Sequence, residues 1–148
     1  ITSMLEGAVQ RGTGKGLRDL NLDIAGKTGT TNENTDTWFI GYTSKLIIGV
    51  YVGFDNPKSL GKKETGARTA MPIFKEFVKK FIKKEDARPF KVAENITLMV
   101  IDPKTGRKAS FNSKKTIIEV FKKKDLDQNS KNMILNNRVN NNNVLRFY

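Results

Sequence analysis

Apolar residues at Ile1, Met4, Leu5, Ala8 and Val9 fall at i, i+3, i+4, i+7 and i+8, one helical stripe, while Glu6, Gln10 and Arg11 lie off it. The spacing predicts a helix over Ile1 to Arg11, ended by a left-handed cap at Gly12. A glycine-rich connection, Gly12-Thr13-Gly14-Lys15-Gly16, and a lead-in from Leu17 to Asp23 bring the chain to a strand over Ile24 to Thr30. Two more strands come next, at Thr37 to Tyr42 and Leu46 to Phe54. Both are aromatic and β-branched and are joined by the polar Thr43-Ser44-Lys45, which predicts a hairpin. Near-continuous apolarity in both argues for helices covering each face of the sheet. Gly41, Gly49 and Gly53 predict close approach of a crossing helix.

After a polar loop from Asp55 to Arg68, a stripe of Ala70, Ile73, Phe74, Phe77, Val78, Phe81 and Ile82 predicts the clearest helix, with Thr69 as its cap and Pro72 in its first turn. Beyond Pro89, the stretch Phe90 to Asp102 reads as a strand in which Ile96, Leu98 and Val100 alternate with Thr97, Met99 and Ile101. Asp102-Pro103-Lys104-Thr105-Gly106 is a turn, and Thr116 to Phe121 a further strand. The Asn-rich end, with Asn140 to Asn143 consecutive, predicts disorder, with Val144-Leu145 and Phe147-Tyr148 as a candidate terminal clip. The organisation expected is therefore 1–86, 87–124 as a small β-rich segment, and 125–148 as a tail.

Composition narrows the chemistry. The 148 residues contain no Cys and no His, which removes disulfides, thiolate nucleophiles, Cys/His zinc sites and Ser-His-Asp triads. Lysine, a carboxylate or a hydroxyl must then move any proton. The net charge of +12 admits a nucleic-acid-binding or anionic-surface-binding module. Solvated lysines in a chain also rich in Asn and Ile give the plainer account, so no nucleic-acid partner is expected. The chain shows no membrane span and no signal-peptide pattern, and it opens inside a helix, as a piece of a longer protein does.

Ala25-Gly26-Lys27-Thr28-Gly29-Thr30-Thr31 concentrates the candidate chemistry: a cation and three hydroxyls beside two glycines that let a ligand approach the backbone. It is not a nucleotide loop. A P-loop places a glycine where Asn21 stands, and Gly12-x-Gly14-x-Gly16 follows a helix rather than a strand.

The ordered series Met4-Leu5-Glu6-Gly7, Val9-Gln10-Arg11-Gly12-Thr13-Gly14, Ala25 to Thr31, Asp36 to Thr43, Gly49 to Pro57 and Ala70-Met71-Pro72-Ile73-Phe74 resembles the end of the transpeptidase domain of class A penicillin-binding proteins of the 1A type. Phe90-Lys91-Val92 through Gly106 resembles the segment directly C-terminal to that domain in the same family. The resemblance implies an α+β fold, the C-terminal part of a β-lactamase/transpeptidase-like domain with three antiparallel strands flanked by helices. It implies serine acyl transfer on the D-Ala-D-Ala end of peptidoglycan stem peptides, with β-lactams trapped at the same step and no cofactor. Carried over, Lys27 supplies charge and shuttles protons. The Thr28 and Thr30 hydroxyls hold the substrate carboxylate, and the Thr30 N–H faces the oxyanion. Gly29 lets the substrate lie along the strand, and Thr31 completes the binding segment.

The family's Ser-x-x-Lys and Ser-x-Asn elements precede Lys-Thr-Gly, and only 26 residues do so here. Ser59-Leu60-Gly61-Lys62, Ser110-Phe111-Asn112 and Ser130-Lys131-Asn132 match those patterns downstream, the wrong side. The resemblance implies a parent that is an inner-membrane enzyme facing the periplasm, with a glycosyltransferase domain and an N-terminal anchor outside this chain. The chain's partner is then the remainder of the transpeptidase domain.

Overall fold

The structure, a computed structural model, describes residues 1–126. Most of the predicted tail, Ser130-Lys131-Asn132 and the terminal clip lie outside the described residues. The chain divides into two units, Ile1–Lys91 and Val92–Tyr148.

In the first unit α1 spans Thr2–Arg11, β1 Ala25–Thr30, β2 Thr37–Tyr42, β3 Ile47–Val52 and α2 Ala70–Phe81, with short 3-10 turns between. The sheet runs β1-β2-β3, antiparallel throughout, as the hairpin pattern predicts. Thr37, Phe39 and Gly41 of β2 are buried on the face that α2 covers. There Phe39 and Phe74 meet with ring centroids 4.8 Å apart. Val9, Leu17, Ile24, Ala70, Met71 and Val78 complete the core. Gly41 is what allows it, because a Cβ there would stand 2.7 Å from both phenylalanine rings.

Several local expectations are not met. Gly12 ends α1 with φ −110°, outside the left-handed region; its N–H bonds to the Ala8 carbonyl at 3.1 Å. Thr69 sits at the start of α2, but its hydroxyl bonds Thr37 Oγ1 at 2.6 Å and the Thr65 carbonyl at 2.9 Å instead of capping the helix. Gly49 faces open space, and a side chain at Gly53 would strike Tyr51 and Asp36 rather than a helix. The stripe of α2 divides: Phe74 and Val78 are buried, Ile73, Phe77 and Phe81 exposed. Helices do not cover both sheet faces among the described residues. Trp38, Ile40, Ile47 and Tyr51 all lie exposed, Ile47 at 72%.

On α1, burial, and behind it the negative charge of Asp23, hold the Glu6 carboxyl above its ordinary value. The folded state then binds this proton more readily than the unfolded chain, so ionisation at neutral pH opposes folding. Glu6→Gln is expected to raise the melting temperature at pH 7. The gain closes at about pH 3, below the ordinary glutamate value, where the carboxyl is protonated in both states. Melting curves at the two pH values check the sign.

In the second unit β4, Ile96–Ile101, pairs antiparallel with β5, Ile117–Lys122, matching the alternation read from Ile96 onward. The strand expected over Phe90 to Asp102 is thus shorter than predicted. The turn after β4 closes with Gly106 N–H on the Asp102 carbonyl at 2.8 Å, and Gly106 takes φ +67°, a value that favours glycine. Among the described residues no helix is long and apolar enough to cross a membrane.

Candidate functional site

β1 is an edge strand. Its register against β2 pairs Lys27 with Ile40, Thr28 with Phe39, Gly29 with Trp38 and Thr30 with Thr37. Just beyond, Thr31 N–H donates to the Asp36 carbonyl at 3.0 Å, a hydrogen-bonded pair. Antiparallel pairs alternate, so Thr30↔Thr37 and Thr28↔Phe39 are the non-bonded ones, and the N–H and C=O of Thr28 and Thr30 point to the open edge. An independent contact agrees: the outward Thr28 carbonyl accepts Lys27 Nζ at 2.9 Å.

Lys27 is exposed, and its ammonium also stands 3.5 Å from Thr28 Oγ1. The Thr28 hydroxyl meets that of Thr13, 2.8 Å away. Thr30 Oγ1 accepts the Gly66 N–H at 3.1 Å and keeps its own proton to donate. Gly29 leaves the strand flat beside Trp38, whose Cβ stands 3.2 Å from where a Gly29 Cβ would lie. Thr31 lies one residue past β1. Its hydroxyl accepts the Asp36 N–H at 2.8 Å and touches Thr35 Oγ1 at 2.8 Å, which closes the turn into β2. The structure therefore gathers Lys27, Thr28 and Thr30 along one edge, with Gly29 between them and Thr31 in the turn.

Two residues at this edge went unassigned in the sequence. Gly66 is buried, and a side chain there would collide with the backbone of Trp38 and Gly29. Its carbonyl also accepts the Met71 N–H at 2.8 Å, which ties the start of α2 to β1. Thr13 is the other. Neither contact has a local signature, since they span 15 and 36 residues.

Nearby, the Tyr51 hydroxyl donates to Asp36 Oδ1 at 2.7 Å, and that bond pushes the phenol above its ordinary value. Ser59, first of the chance Ser-x-x-Lys match, is exposed in a loop. Its hydroxyl donates to the Glu33 carbonyl at 2.8 Å and accepts the Gly61 N–H at 3.2 Å. The basic face of α2 is partly neutralised locally: Lys75 pairs with Asp19 at 2.7 Å and Lys79 with Glu76 at 2.9 Å. That does not favour a nucleic-acid surface.

An edge strand carrying an ammonium, two hydroxyls and two outward N–H groups can bind an extended peptide with a terminal carboxylate and can stabilise an oxyanion. Known proteins bear on this arrangement. The family described as penicillin binding protein transpeptidase domain matches residues 1–79. Penicillin-binding protein 1A of Rickettsia felis is 43% identical over 141 residues, 95% of this chain and 18% of that protein. Its counterpart in Pseudomonas aeruginosa is 40% identical over 126 residues, 84% of this chain and 15% of that protein. The crystal structure of penicillin-binding protein 1A from Haemophilus influenzae superposes with a TM-score of 0.70 at 30% identity, over 82% of this chain and 19% of that one. The chain thus spans under a fifth of the length of these relatives.

Proposed function

The chain belongs to the penicillin-binding protein transpeptidase family, and from that premise we propose that it forms one wall of a peptidoglycan D-Ala-D-Ala transpeptidase site. The observation that carries this reading is the open edge of β1, where the Lys27 ammonium, the Thr28 and Thr30 hydroxyls and the outward backbone of the same two threonines lie together. Residues 1–86 are the end of the transpeptidase domain, and 87–124 are a β-rich segment following it.

A serine outside this chain attacks the carbonyl between the two D-Ala residues of a stem peptide, and terminal D-Ala leaves with the proton. The acyl-enzyme then passes to an amine of a neighbouring stem. Lys27 attracts the substrate carboxylate and helps to shuttle the proton. Thr28 and Thr30 donate to that carboxylate. The Thr30 N–H stabilises the oxyanion, a contact worth about 2.7–4 kcal/mol. Gly29 admits the peptide as an added strand. Thr31 supports the segment through its turn. β-Lactams acylate the same serine. The remainder of the domain is the partner that supplies this serine. In the parent enzyme it lies on the periplasmic side of the inner membrane, with a glycosyltransferase domain in the same polypeptide.

The test is covalent labelling. The 148-residue chain alone is expected to take up no labelled penicillin, and the chain joined to the serine-bearing segment is expected to take up one. A stable acyl adduct on a serine of this chain alone would overturn the reading.

A further inference from the structure

We propose that Thr13 is a positioning residue that serves the site as a hydrogen-bond relay for Thr28; the proposal rests on the carboxylate role given above to Thr28. Thr13 sits between two anchored glycines. The N–H groups of Gly12 and Gly14 both donate to the Ala8 carbonyl, at 3.1 and 3.0 Å, and the neighbouring Val9 is in the core. A Cβ on Gly14 would lie 3.0 Å from Val9 Cα, so the loop is packed tightly on the helix end. This holds the Thr13 backbone, and the exposed Thr13 hydroxyl lies 2.8 Å from Thr28 Oγ1.

Either hydroxyl of that pair can be the donor, and the groups around Thr28 show what a ligand would change. Lys27 Nζ carries donors only and stands 3.5 Å from Thr28 Oγ1, so the Thr28 proton cannot point to it. The Thr28 carbonyl is already occupied by Lys27. With no ligand bound, the two hydroxyls share one hydrogen bond that either can donate. When a carboxylate arrives at the strand edge, Thr28 turns its proton outward to the ligand, and Thr13 donates to Thr28. Thr13 then supplies the nearer donor to the Thr28 oxygen, and the change costs at most the rotation of two hydroxyls. No covalent bond forms or breaks. Without Thr13, Thr28 Oγ1 faces the ligand with the distant Lys27 as its one donor among these groups. Its own proton is then less firmly directed.

The experiment uses the complete enzyme, this chain together with the segment bearing the nucleophilic serine. Acylation is measured with a labelled penicillin and with the same compound blocked as its carboxylate methyl ester. Thr13→Val is expected to slow acylation by the acid about three- to tenfold, the worth of one neutral hydrogen bond, through weaker binding rather than a slower chemical step. The ester should react alike with both proteins. Thr13→Ser, which keeps the hydroxyl, should stay within about twofold of the parent on both probes. Thr28→Val is the reference and should discriminate acid from ester more strongly.

An equal loss on acid and ester in Thr13→Val, or a loss in Thr13→Ser as large as in Thr13→Val, overturns the relay and leaves Thr13 a packing residue. If Thr28→Val discriminates and Thr13→Val does not, the relay fails while the carboxylate site stands. If Thr28→Val itself fails to discriminate, the carboxylate reading fails first and the relay with it. Melting temperatures of the variants separate all of these from unfolding.

Discussion

Lys27→Met in the complete enzyme is expected to lower the acylation rate with penicillin by about 10²–10⁴-fold, the range for loss of a positioned proton-transfer group. Methionine keeps the length and apolar stem of lysine and removes the charge. The side chain is exposed, and among the described residues its hydrogen bonds run to Thr28, at the carbonyl and hydroxyl, so the melting temperature should hardly move. Lys27→Arg separates the two roles assigned to the residue. Arginine keeps the positive charge near the carboxylate but cannot give up its proton, so binding should survive better than the chemical step. Stopped-flow acylation resolves the two. A Lys27→Met enzyme that acylates within a few fold of the parent would remove the lysine from the mechanism.

Phe74→Ala is the change with the largest expected effect on folding. Phe74 is fully buried on α2, stacked at a tilt on Phe39 and seated over the gap left by Gly41. Truncating a buried phenylalanine to alanine costs about 3–5 kcal/mol, against a total stability of about 5–15 kcal/mol for ordinary domains. The first unit exposes one face of its sheet, so it starts with less to lose, and Phe74→Ala should leave it largely unfolded at 37 °C. Phe74→Leu refills much of the volume and should retain the fold. Urea denaturation of the three proteins gives the ranking, and equal midpoints would mean that α2 does not hold the sheet.

What could be read from the sequence is what local periodicity encodes. β2 lies where its aromatic and β-branched residues put it, at Thr37–Tyr42, and α2 begins at Ala70, one residue after the predicted cap. The segment Lys27 to Thr31 announces itself because charge, hydroxyls and glycine rarely cluster in a strand. Periodicity does not tell how wide a stripe will be covered. Ile73, Phe77 and Phe81 follow the same helical rule as Phe74 and Val78, and their exposure depends on what packs beside α2. Thr69 and Gly12 obey capping statistics in sequence, but Thr37 claims the Thr69 hydroxyl and Gly12 ends α1 outside the left-handed region. Thr13 and Gly66 reach β1 from opposite ends of the unit, and only the folded chain brings them there.

The strand order carries a consequence for how the site comes into being. β1, β2 and β3 are neighbours in sequence as well as in space, joined by residues 31–36 and 43–46. No long loop has to close before the strand bearing Lys27 finds its partner, and sheets built from such local pairings form early and fast. Docking of α2, which must return from residue 70 to cover Phe39, closes the longer loop. The edge bearing Lys27 is therefore expected to pair in register before its core is sealed, with the arrival of the helix behind it as the slower step.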